Sequence, residues 1–423
     1  MRYVYSALFY LLLPFILLRM LLRSRRAPVY RQRLAERFGW FAPRPDLPRT
    51  AVWVHAVSVG ETLAAAPLIE HLLQRYPEAD IVVTTTTPTG SDRVRSLFGE
   101  RVFHVYSPWD MPGAVARFFA RVKPGLLVVM ETELWPNLLH HAQRNQCPVI
   151  LANARLSARS ARGYQRVAGL TAQMMQQLTL VACQSRADGE RFVQLGLAAD
   201  RLQVTGSIKF DIDLDNSLRA EATALKSSWP NAPVLLGSST HPGEDELLLQ
   251  ALGEVREHHP NALLLLVPRH PERFDGVAAL CAREGFNVVR RSSGRPPEAG
   301  RDVYLGDTMG ELRLLSGVAD IAVIGGSFIQ HGGQNVLEAA AWGVPVVSGP
   351  HMFNFTEITE LLTTAGAMRQ VADGDELGRC LMEILAAPNV MQAMGEAGEQ
   401  VVAENRGALA RLTALVDERV PGA

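Results

Sequence analysis

The chain has 423 residues, of which 48% are hydrophobic and 20% charged, and it carries 42 Lys and Arg against 43 Asp and Glu. This composition excludes a disordered chain, a small disulfide scaffold and a multi-pass membrane protein, and the length predicts two or three domains. The near-zero net charge argues against a nucleic-acid-binding protein. The charge is uneven, however, because residues 1–50 hold ten Arg and only two acidic residues.

The first predicted element is a segment over residues 3–22 that is apolar apart from Ser6 and Arg19 and is followed at once by three arginines. Its length is about enough to cross the hydrocarbon core, and the arginines would then keep the rest of the chain cytoplasmic. A cleaved signal peptide would carry its positive charges before the apolar run. Pro14 and Arg19 weaken a clean crossing, so a helix lying in the membrane interface is an alternative. In either form, we predict a membrane anchor over residues 1–26.

The remainder of the chain alternates strand-like apolar runs with helical segments. Seven such runs lie between residues 51 and 206, and six more lie between 233 and 349. Runs that are apolar on both faces and separated by helices predict parallel sheets covered on both sides. A polar, helix-prone stretch separates the two series. We therefore predict an α/β fold of two Rossmann-like, doubly wound domains, over residues 27–211 and 233–423, joined by a linker over 212–232.

Several common site motifs are missing from the sequence. There is no Walker A loop, no GxGxxG between a first strand and helix, and no GxSxG elbow, which argues against P-loop ATPases and dinucleotide enzymes. The cysteines are scattered, with no CxxC pair and no histidine at metal-ligand spacing. We interpret them as reduced core residues of a cytosolic domain. The four positions are Cys147, Cys183, Cys281 and Cys380.

Two acidic motifs follow strands in the first half, where open α/β sheets bind their ligands. Glu61 begins a helix after the first strand, and Glu131 and Glu133 follow the fourth. An acid in a first helical turn can simply complement the helix dipole. Carboxylates that end an apolar strand are not needed for packing, so we expect one of the second pair to face the ligand. Glu133 could instead begin the helix.

Lys209 lies at the end of the first half, within the sequence GSIKFD. A lysine at a hinge could bind an anionic group lodged between the domains, although a solvated lysine is the commoner arrangement. Asp211 and Asp213 follow as a DxD pair, which resembles the metal-binding motif of another class of sugar transferases. Because this pair lies in a linker rather than after a strand, we do not assign it to metal binding.

The second half carries candidate nucleotide-binding groups after three of its strands. A Pro-Arg pair at 268–269 ends one strand, residues 309–311 open a helix after another, and a glycine-rich run leads into residues 335–338. Such a run before a helix presents free N–H groups that suit phosphate. Asn335 and Glu338 also have the spacing of a capping box. Capping does not explain the preceding His-Gly-Gly, so the sequence favours nucleotide binding.

Seven motifs, taken in chain order, resemble those of the 3-deoxy-D-manno-octulosonic acid (Kdo) transferases of lipopolysaccharide synthesis. They are HAVSVGE, METELWPN, GSIKFD, PRHPERF, MGELRLL, IGGSF and HGGQNVLEAAAWGVPV. The resemblance implies the GT-B fold and the transfer of Kdo, with inversion, from CMP-Kdo to the lipid A precursor lipid IVA. It also implies action at the cytoplasmic side of the cell inner membrane, with no metal and no cofactor besides the donor substrate.

The same resemblance implies the residue roles. Glu61 would be the general base, which requires it to be ionised, and Glu131 and Lys209 would assist the transition state. Departing CMP is an anion that Arg269 and Lys209 could stabilise without a metal. The residues implied to hold CMP are Pro268, Arg269, Met309, Gly310, Glu311, Asn335, Val336, Leu337 and Glu338.

Two other functions fit parts of the sequence. A nucleotide-sugar epimerase could use the same GT-B scaffold, but it has no need of a membrane-anchored basic N-terminus. A non-enzymatic lipid A-binding protein has no need of acids at strand ends. The sequence leaves open the number of Kdo units transferred, the group that binds the Kdo carboxylate, the oligomeric state, and whether the last helix packs on the first domain.

Overall fold

The computed structural model divides the chain into two compact units. The first unit is Met1–Asp211 with Gly407–Ala423, and the second is Ile212–Arg406. The predicted linker over 212–232 therefore falls inside the second unit, and the end of the chain belongs to the first. The structure describes residues 1–25, 28–42, 51–298 and 300–421. Within residues 1–50, the charged residues that lie outside this description are Arg26, Arg44, Asp46 and Arg49.

The first unit alternates strands with helices in chain order. Its strands are β1 (Ala51–His55), β2 (Asp80–Thr85), β3 (Phe103–Tyr106), β4 (Pro124–Met130), β5 (Val149–Ala154), β6 (Leu180–Cys183) and β7 (Leu202–Val204). Its helices up to this point are α1 (Arg2–Ser24), α2 (Leu34–Arg37), α3 (Val59–Arg75), α4 (Pro88–Phe98), α5 (Pro112–Val122), α6 (Pro136–Arg144), α7 (Ala158–Gln165), α8 (Ala168–Gln177) and α9 (Arg186–Gln194).

All seven strands of this unit are parallel, in the order β3-β2-β1-β4-β5-β6-β7. Val54 of β1 pairs with Val83 of β2 and Val128 of β4, and every residue of β1 is buried. Two hydrophobic clusters account for that burial, one containing Trp53 and the other containing Val54. The continuous apolar runs thus reflect a sheet that is covered on both faces.

The second unit repeats this architecture. Its strands are β8 (Val234–Thr240), β9 (Leu263–Pro268), β10 (Val288–Arg290), β11 (Val303–Leu305), β12 (Ile321–Ile324), β13 (Val346–Ser348) and β14 (Met368–Gln370). Its helices are α10 (Asn216–Ser227), α11 (Glu244–Arg256), α12 (Phe274–Arg283), α13 (Leu312–Ser316), α14 (Leu337–Ala341), α15 (Thr356–Thr364), α16 (Gly374–Ala386) and α17 (Pro388–Asn405). The parallel strand order is β10-β11-β9-β8-β12-β13-β14. The predicted fold class of two doubly wound α/β units is confirmed.

The last helix, α18 (Ala408–Asp417), packs on the first unit. Leu412 is fully buried in the same hydrophobic cluster as Val54. The Asp211 carboxylate accepts hydrogen bonds from the backbone N–H groups of Gly407 and Leu409, at 2.6 Å each. Asp211 therefore satisfies free N–H groups at the start of a helix, which is a structural use for one half of the DxD pair.

Helix α1 is long and apolar enough to cross a membrane, a criterion that soluble core helices and signal sequences also meet. Its first turn is bonded to Asn137 at the start of α6. The Arg2 guanidinium donates to Asn137 Oδ1 at 2.9 Å, and the Ser6 hydroxyl donates to the same oxygen at 3.2 Å. Ser6 is buried, whereas most of α1 is not.

The four cysteines are buried free thiols. Burial raises the pKa of the Cys147 thiol to about 12. Because the thiolate is the reactive form, such a cysteine is inert at neutral pH.

Candidate active site

Glu61 lies in the first turn of α3, and its carboxylate is held from two sides. Oε2 accepts a hydrogen bond from Val57 N at 2.8 Å, and Oε1 accepts one from the Ser58 hydroxyl at 2.8 Å. Burial raises the pKa of Glu61 to about 7, and nearby Glu133 and Glu131 also raise it, whereas the two hydrogen bonds oppose that change. A proton acceptor with this pKa is suited to accept a proton near neutral pH.

Glu131 and Glu133 follow β4 at the same edge of the sheet. Glu131 adopts a left-handed backbone conformation, with φ of 53°, which is unusual for a residue with a side chain. Its N–H donates to Ala152 O at 2.9 Å. Glu133 accepts a hydrogen bond from Trp135 Nε1 at 2.9 Å, and burial raises the pKa of its carboxyl. Glu133 does not begin α6, which starts three residues later.

Lys209 lies in a 3₁₀ helix, Ile208–Phe210, that follows β7. This turn is attached to the sheet through Asn153 at the end of β5, since Asn153 Oδ1 accepts from Ile208 N at 3.2 Å. Asn153 is fully buried, has a φ of 51°, and its Nδ2 has no hydrogen-bond partner among the described residues. Backbone strain and an unsatisfied buried amide mark this strand end as unusual.

The Pro268–Arg269 pair ends β9 in the second unit. Arg269 N donates to Thr240 O at 3.0 Å, which joins this strand end to that of β8. The Arg269 guanidinium makes no ion pair within 4 Å in the part of the chain that the structure describes. Burial raises the pKa of Glu338, whereas Arg313, the hydrogen bond from Asn335 and the charge of Arg269 lower it, so Arg269 lies near this carboxyl.

Residues 309–311 precede α13, as the sequence predicts. Met309 is 60% exposed, and Gly310 has a φ of 87°, which favours glycine. Glu311 forms an ion pair with Arg291 at 2.8 Å, and this hydrogen bond lowers the pKa of Glu311. The Arg291 partner could not be anticipated, because it lies 20 residues earlier in the chain.

Residues 335–338 cover the last two residues of the loop before α14 and the first two residues of this helix, which has only five residues. A helix this short contributes little dipole, so the sequence-based argument for phosphate binding by a helix N-terminus is weakened here. Asn335 Oδ1 accepts from Leu337 N at 3.1 Å, and Asn335 Nδ2 donates to Glu338 Oε1 at 3.4 Å. Asn335 thus bonds the start of α14, but the residue that caps this helix is Val336, which makes no side-chain cap bond, so the capping box is not formed.

Glu244 and His241 were not recognised from the sequence. Glu244 is buried, and its carboxylate accepts from the backbone N–H groups of His241 at 2.9 Å, Gly326 at 2.7 Å and Phe328 at 3.0 Å. It thus fixes the glycine-rich loop after β12 to the end of β8. Applying the rule of polar residues after strands to the sequence SSTHPGE would have identified both residues.

The structure brings Glu61, Glu131 and Glu133 together within the first unit, and it brings Arg269 near Glu338 within the second. Over the described residues, no group of three or more His, Cys, Asp or Glu side chains is arranged to hold a metal ion.

Comparisons with known proteins point to one family. Residues 32–212 match the family described as "3-Deoxy-D-manno-octulosonic-acid transferase (kdotransferase)". The chain is 43% identical to the 3-deoxy-D-manno-octulosonic acid transferase of Haemophilus influenzae, over 98% of both chains. It is 39% identical to that of Bordetella pertussis, over 98% of this chain and 99% of the relative.

Solved structures with low sequence identity share the fold. The UDP-GlcNAc 2-epimerase from Neisseria meningitidis has a TM-score of 0.57 at 14% identity, over 88% of this chain and 99% of that one. A glycosyltransferase from Rickettsia africae has a TM-score of 0.56 at 13% identity, over 89% of this chain and 100% of that one. These likenesses concern the fold alone, and they confirm the predicted GT-B architecture.

Proposed function

The chain belongs to the family of 3-deoxy-D-manno-octulosonic acid (Kdo) transferases, and we propose that this glycosyltransferase moves Kdo from CMP-Kdo to lipid IVA with inversion, using Glu61 as general base. The observation that carries the proposal is the environment of Glu61. Its carboxylate is buried at the carboxyl edge of the first sheet, oriented by Val57 and Ser58, and has a pKa of about 7. A simple helix-capping acid at an exposed helix end would not have a pKa raised in this way.

The reaction requires one proton acceptor and one stabilised leaving group. Glu61 takes the proton of the acceptor hydroxyl while the oxygen of that hydroxyl forms a bond to the anomeric carbon of Kdo. On the opposite face of the sugar, the bond from that carbon to the phosphate oxygen breaks, and CMP departs with the electron pair. We assign Glu131 and Lys209 to assist the transition state, Lys209 by virtue of its positive charge.

We assign the donor nucleotide to the second unit. Arg269, which is fixed to the end of β8 through Thr240, supplies positive charge for the CMP phosphate. The remaining candidates lie at the end of β9, in the loops after β11 and β12, and at the start of α14 of the same unit. They are Pro268, Met309, Gly310, Glu311, Asn335, Val336, Leu337 and Glu338.

The acceptor is a lipid, and α1 is suited to bring the enzyme to it. One face of this helix exposes large apolar side chains at intervals of three or four residues, each at least half accessible. They are Val4, Leu8, Leu11, Phe15, Leu18 and Leu22. Arginines at 19, 23 and 25 lie beside this face and would attract anionic head groups. We assign the enzyme to the cytoplasmic leaflet of the inner membrane.

Two contacts support an interfacial rather than a spanning α1. The first turn is bonded to Asn137, and Ser24 at the other end accepts from Arg31 Nε at 2.6 Å. Two residues beyond, Arg33 donates to His104 O of β3 at 2.9 Å. A 23-residue helix is about 35 Å long, so a crossing would place its two ends on opposite sides of the bilayer. The start of α1 is held against α6, and the segment that follows its far end returns to β3 of the same unit, which favours a helix lying flat.

Product analysis tests the proposed reaction. Wild-type protein with CMP-Kdo and lipid IVA should give Kdo-lipid IVA by mass spectrometry, and Glu61→Gln should lower the rate by at least about a hundredfold. An epimerase would alter a nucleotide sugar without any lipid, and a lipid A-binding protein would release no CMP. Wild-type turnover by a folded Glu61→Gln protein would refute the role of Glu61.

A labelling experiment tests the position of α1. Tyr3 is 78% exposed, and a Tyr3→Cys variant would be treated with a membrane-impermeant maleimide in intact spheroplasts and in opened membranes. An interfacial helix on the cytoplasmic side should be labelled only after opening. Labelling in intact spheroplasts would show that α1 spans the membrane.

A further inference from the structure

Three histidines from three separate loops converge at the end of β8. His241 follows β8, His270 follows β9, and His331 lies in the loop after β12. The ring of His241 is 4.1 Å from that of His331 and 5.6 Å from that of His270, measured between centroids. His241 is buried, and the other two rings are exposed. The cluster thus has one buried ring, that of His241, and an accessible rim formed by His270 and His331.

The contacts of His241 determine which of its nitrogens can bind a ligand. Its Nε2 lies 2.9 Å from Nε2 of the Gln334 side chain. With Gln334 donating through this amide nitrogen, the ring nitrogen accepts and the neutral ring carries its proton on Nδ1. The backbone of His241 is fixed by Glu244 at 2.9 Å. The ring is therefore held in place with one N–H left for another acceptor.

The surroundings of the cluster are rich in positive charge. Burial is the main reason that the pKa of His241 is lowered to about 4, and the nearby His331, His270, Arg273 and Arg269 side chains contribute to the same shift. The nearby acids are already engaged, since Asp245 pairs with Arg273, and Glu244 accepts three backbone N–H groups. Across the described residues, Arg269 has no ion-pair partner. An anionic ligand would offset this accumulation of donors and cations.

The chemical structure of the sugar donor, CMP-Kdo, indicates which anion binds here. In CMP-Kdo the carboxylate is attached to the anomeric carbon, which also bears the phosphate, so the two anionic groups are neighbours. His270 directly follows Arg269, and Arg269 N bonds to Thr240, the residue before His241. The cluster therefore adjoins the group assigned to the phosphate. We propose that His241, with His270 and His331 at its rim, binds the carboxylate of the Kdo moiety, an inference that rests on the proposed donor.

Binding measured without acceptor separates this role from nucleotide binding. CMP lacks the Kdo carboxylate, so it is an internal control for the phosphate and cytidine contacts. By calorimetry, His241→Phe should weaken CMP-Kdo binding by about tenfold to a hundredfold, the range expected for a hydrogen bond to a charged group, and change CMP binding less than about twofold. His270→Gln and His331→Gln, at exposed positions, should each weaken CMP-Kdo binding selectively and test the cluster if His241→Phe fails to fold.

The matched control is His258→Ala, an exposed histidine at the end of α11, which should leave both affinities unchanged. Equal weakening of CMP and CMP-Kdo by the cluster variants would overturn the carboxylate subsite and indicate a phosphate or loop-positioning role. Unchanged binding of both ligands in all three variants would overturn it as well. A wild-type protein that binds and transfers nothing from CMP-Kdo would instead refute the proposed function, and the subsite with it.

Discussion

Ser58 and Glu61 are joined by two reciprocal hydrogen bonds. The Ser58 hydroxyl accepts from the backbone N–H of Glu61 at 3.2 Å and donates to the Glu61 carboxylate at 2.8 Å. The first bond caps α3, and the second favours the ionised form of Glu61. One side chain thus fixes the orientation of the proposed base and limits the rise in its pKa that burial causes.

Ser58→Ala should move the acid limb of the kcat/KM pH profile to higher pH. Glu61 would lose a hydrogen bond that stabilises its carboxylate, so its pKa would rise from its value of about 7. The lost cap should also cost about 1 kcal/mol of unfolding free energy. Ser157→Ala is the matched control, because Ser157 caps α7 in the same way and lies outside the acidic cluster. An unshifted acid limb in Ser58→Ala would contradict the assignment of Glu61 as base.

Glu61→Gln should stabilise the protein at high pH but not at low pH. The unfolded state ionises Glu61 near its ordinary pKa of 4.5, whereas the folded state keeps the proton up to about 7. Between those values the folded state binds more protons, so wild-type stability falls as pH rises. Glutamine stays neutral at every pH. The unfolding free energy of the variant should therefore exceed that of the wild type by a margin that grows with pH to at most about 3 kcal/mol. Denaturant unfolding at about pH 5 and about pH 8 measures it, and a pH-independent difference would argue against a raised pKa.

The elements that sequence periodicity predicts well are those whose burial is complete. β1 and β4 are apolar because helices cover both faces of the sheet, and the acids after them stand out for that reason. Position after a strand was enough to single out Glu61 and Glu131 as candidates. The same rule applied to His241 would have extended the candidate site, but a histidine carries a weaker signal than two adjacent carboxylates.

Contacts between distant parts of the chain could not be predicted. Ser6 and Asn137 are 131 residues apart, and Asp211 and Leu409 are 198 apart. Each pair depends on tertiary packing that leaves no periodic pattern in either segment. For the same reason, the sequence did not resolve whether α1 spans or lies flat, or to which unit α18 belongs.

Asp211→Ala should lower stability, whereas Asp213→Ala should not. Asp211 accepts the N–H groups that begin α18, and its loss should cost about 1–2 kcal/mol and lower the melting temperature. Asp213 is exposed and serves as the control. A metal-binding DxD would require both carboxylates, so both variants would then lose activity, and a chelator would inhibit the wild type. Transfer activity and thermal unfolding of the two variants distinguish these outcomes.

The exposed face of α1 should determine membrane binding. Leu11 and Phe15 are 69% and 67% exposed, so replacing both with Asp removes lipid-facing apolar area without disturbing the core. Each side chain contributes about 1.5–3 kcal/mol when buried in an apolar medium, and the double variant should bind anionic vesicles at least about tenfold more weakly in a sedimentation assay. Leu361→Asp makes the same change at a 44% exposed leucine of the second unit and should bind as the wild type does. If the double variant unfolds at the wild-type temperature yet still sediments fully with vesicles, a surface other than α1 must hold the enzyme at the membrane.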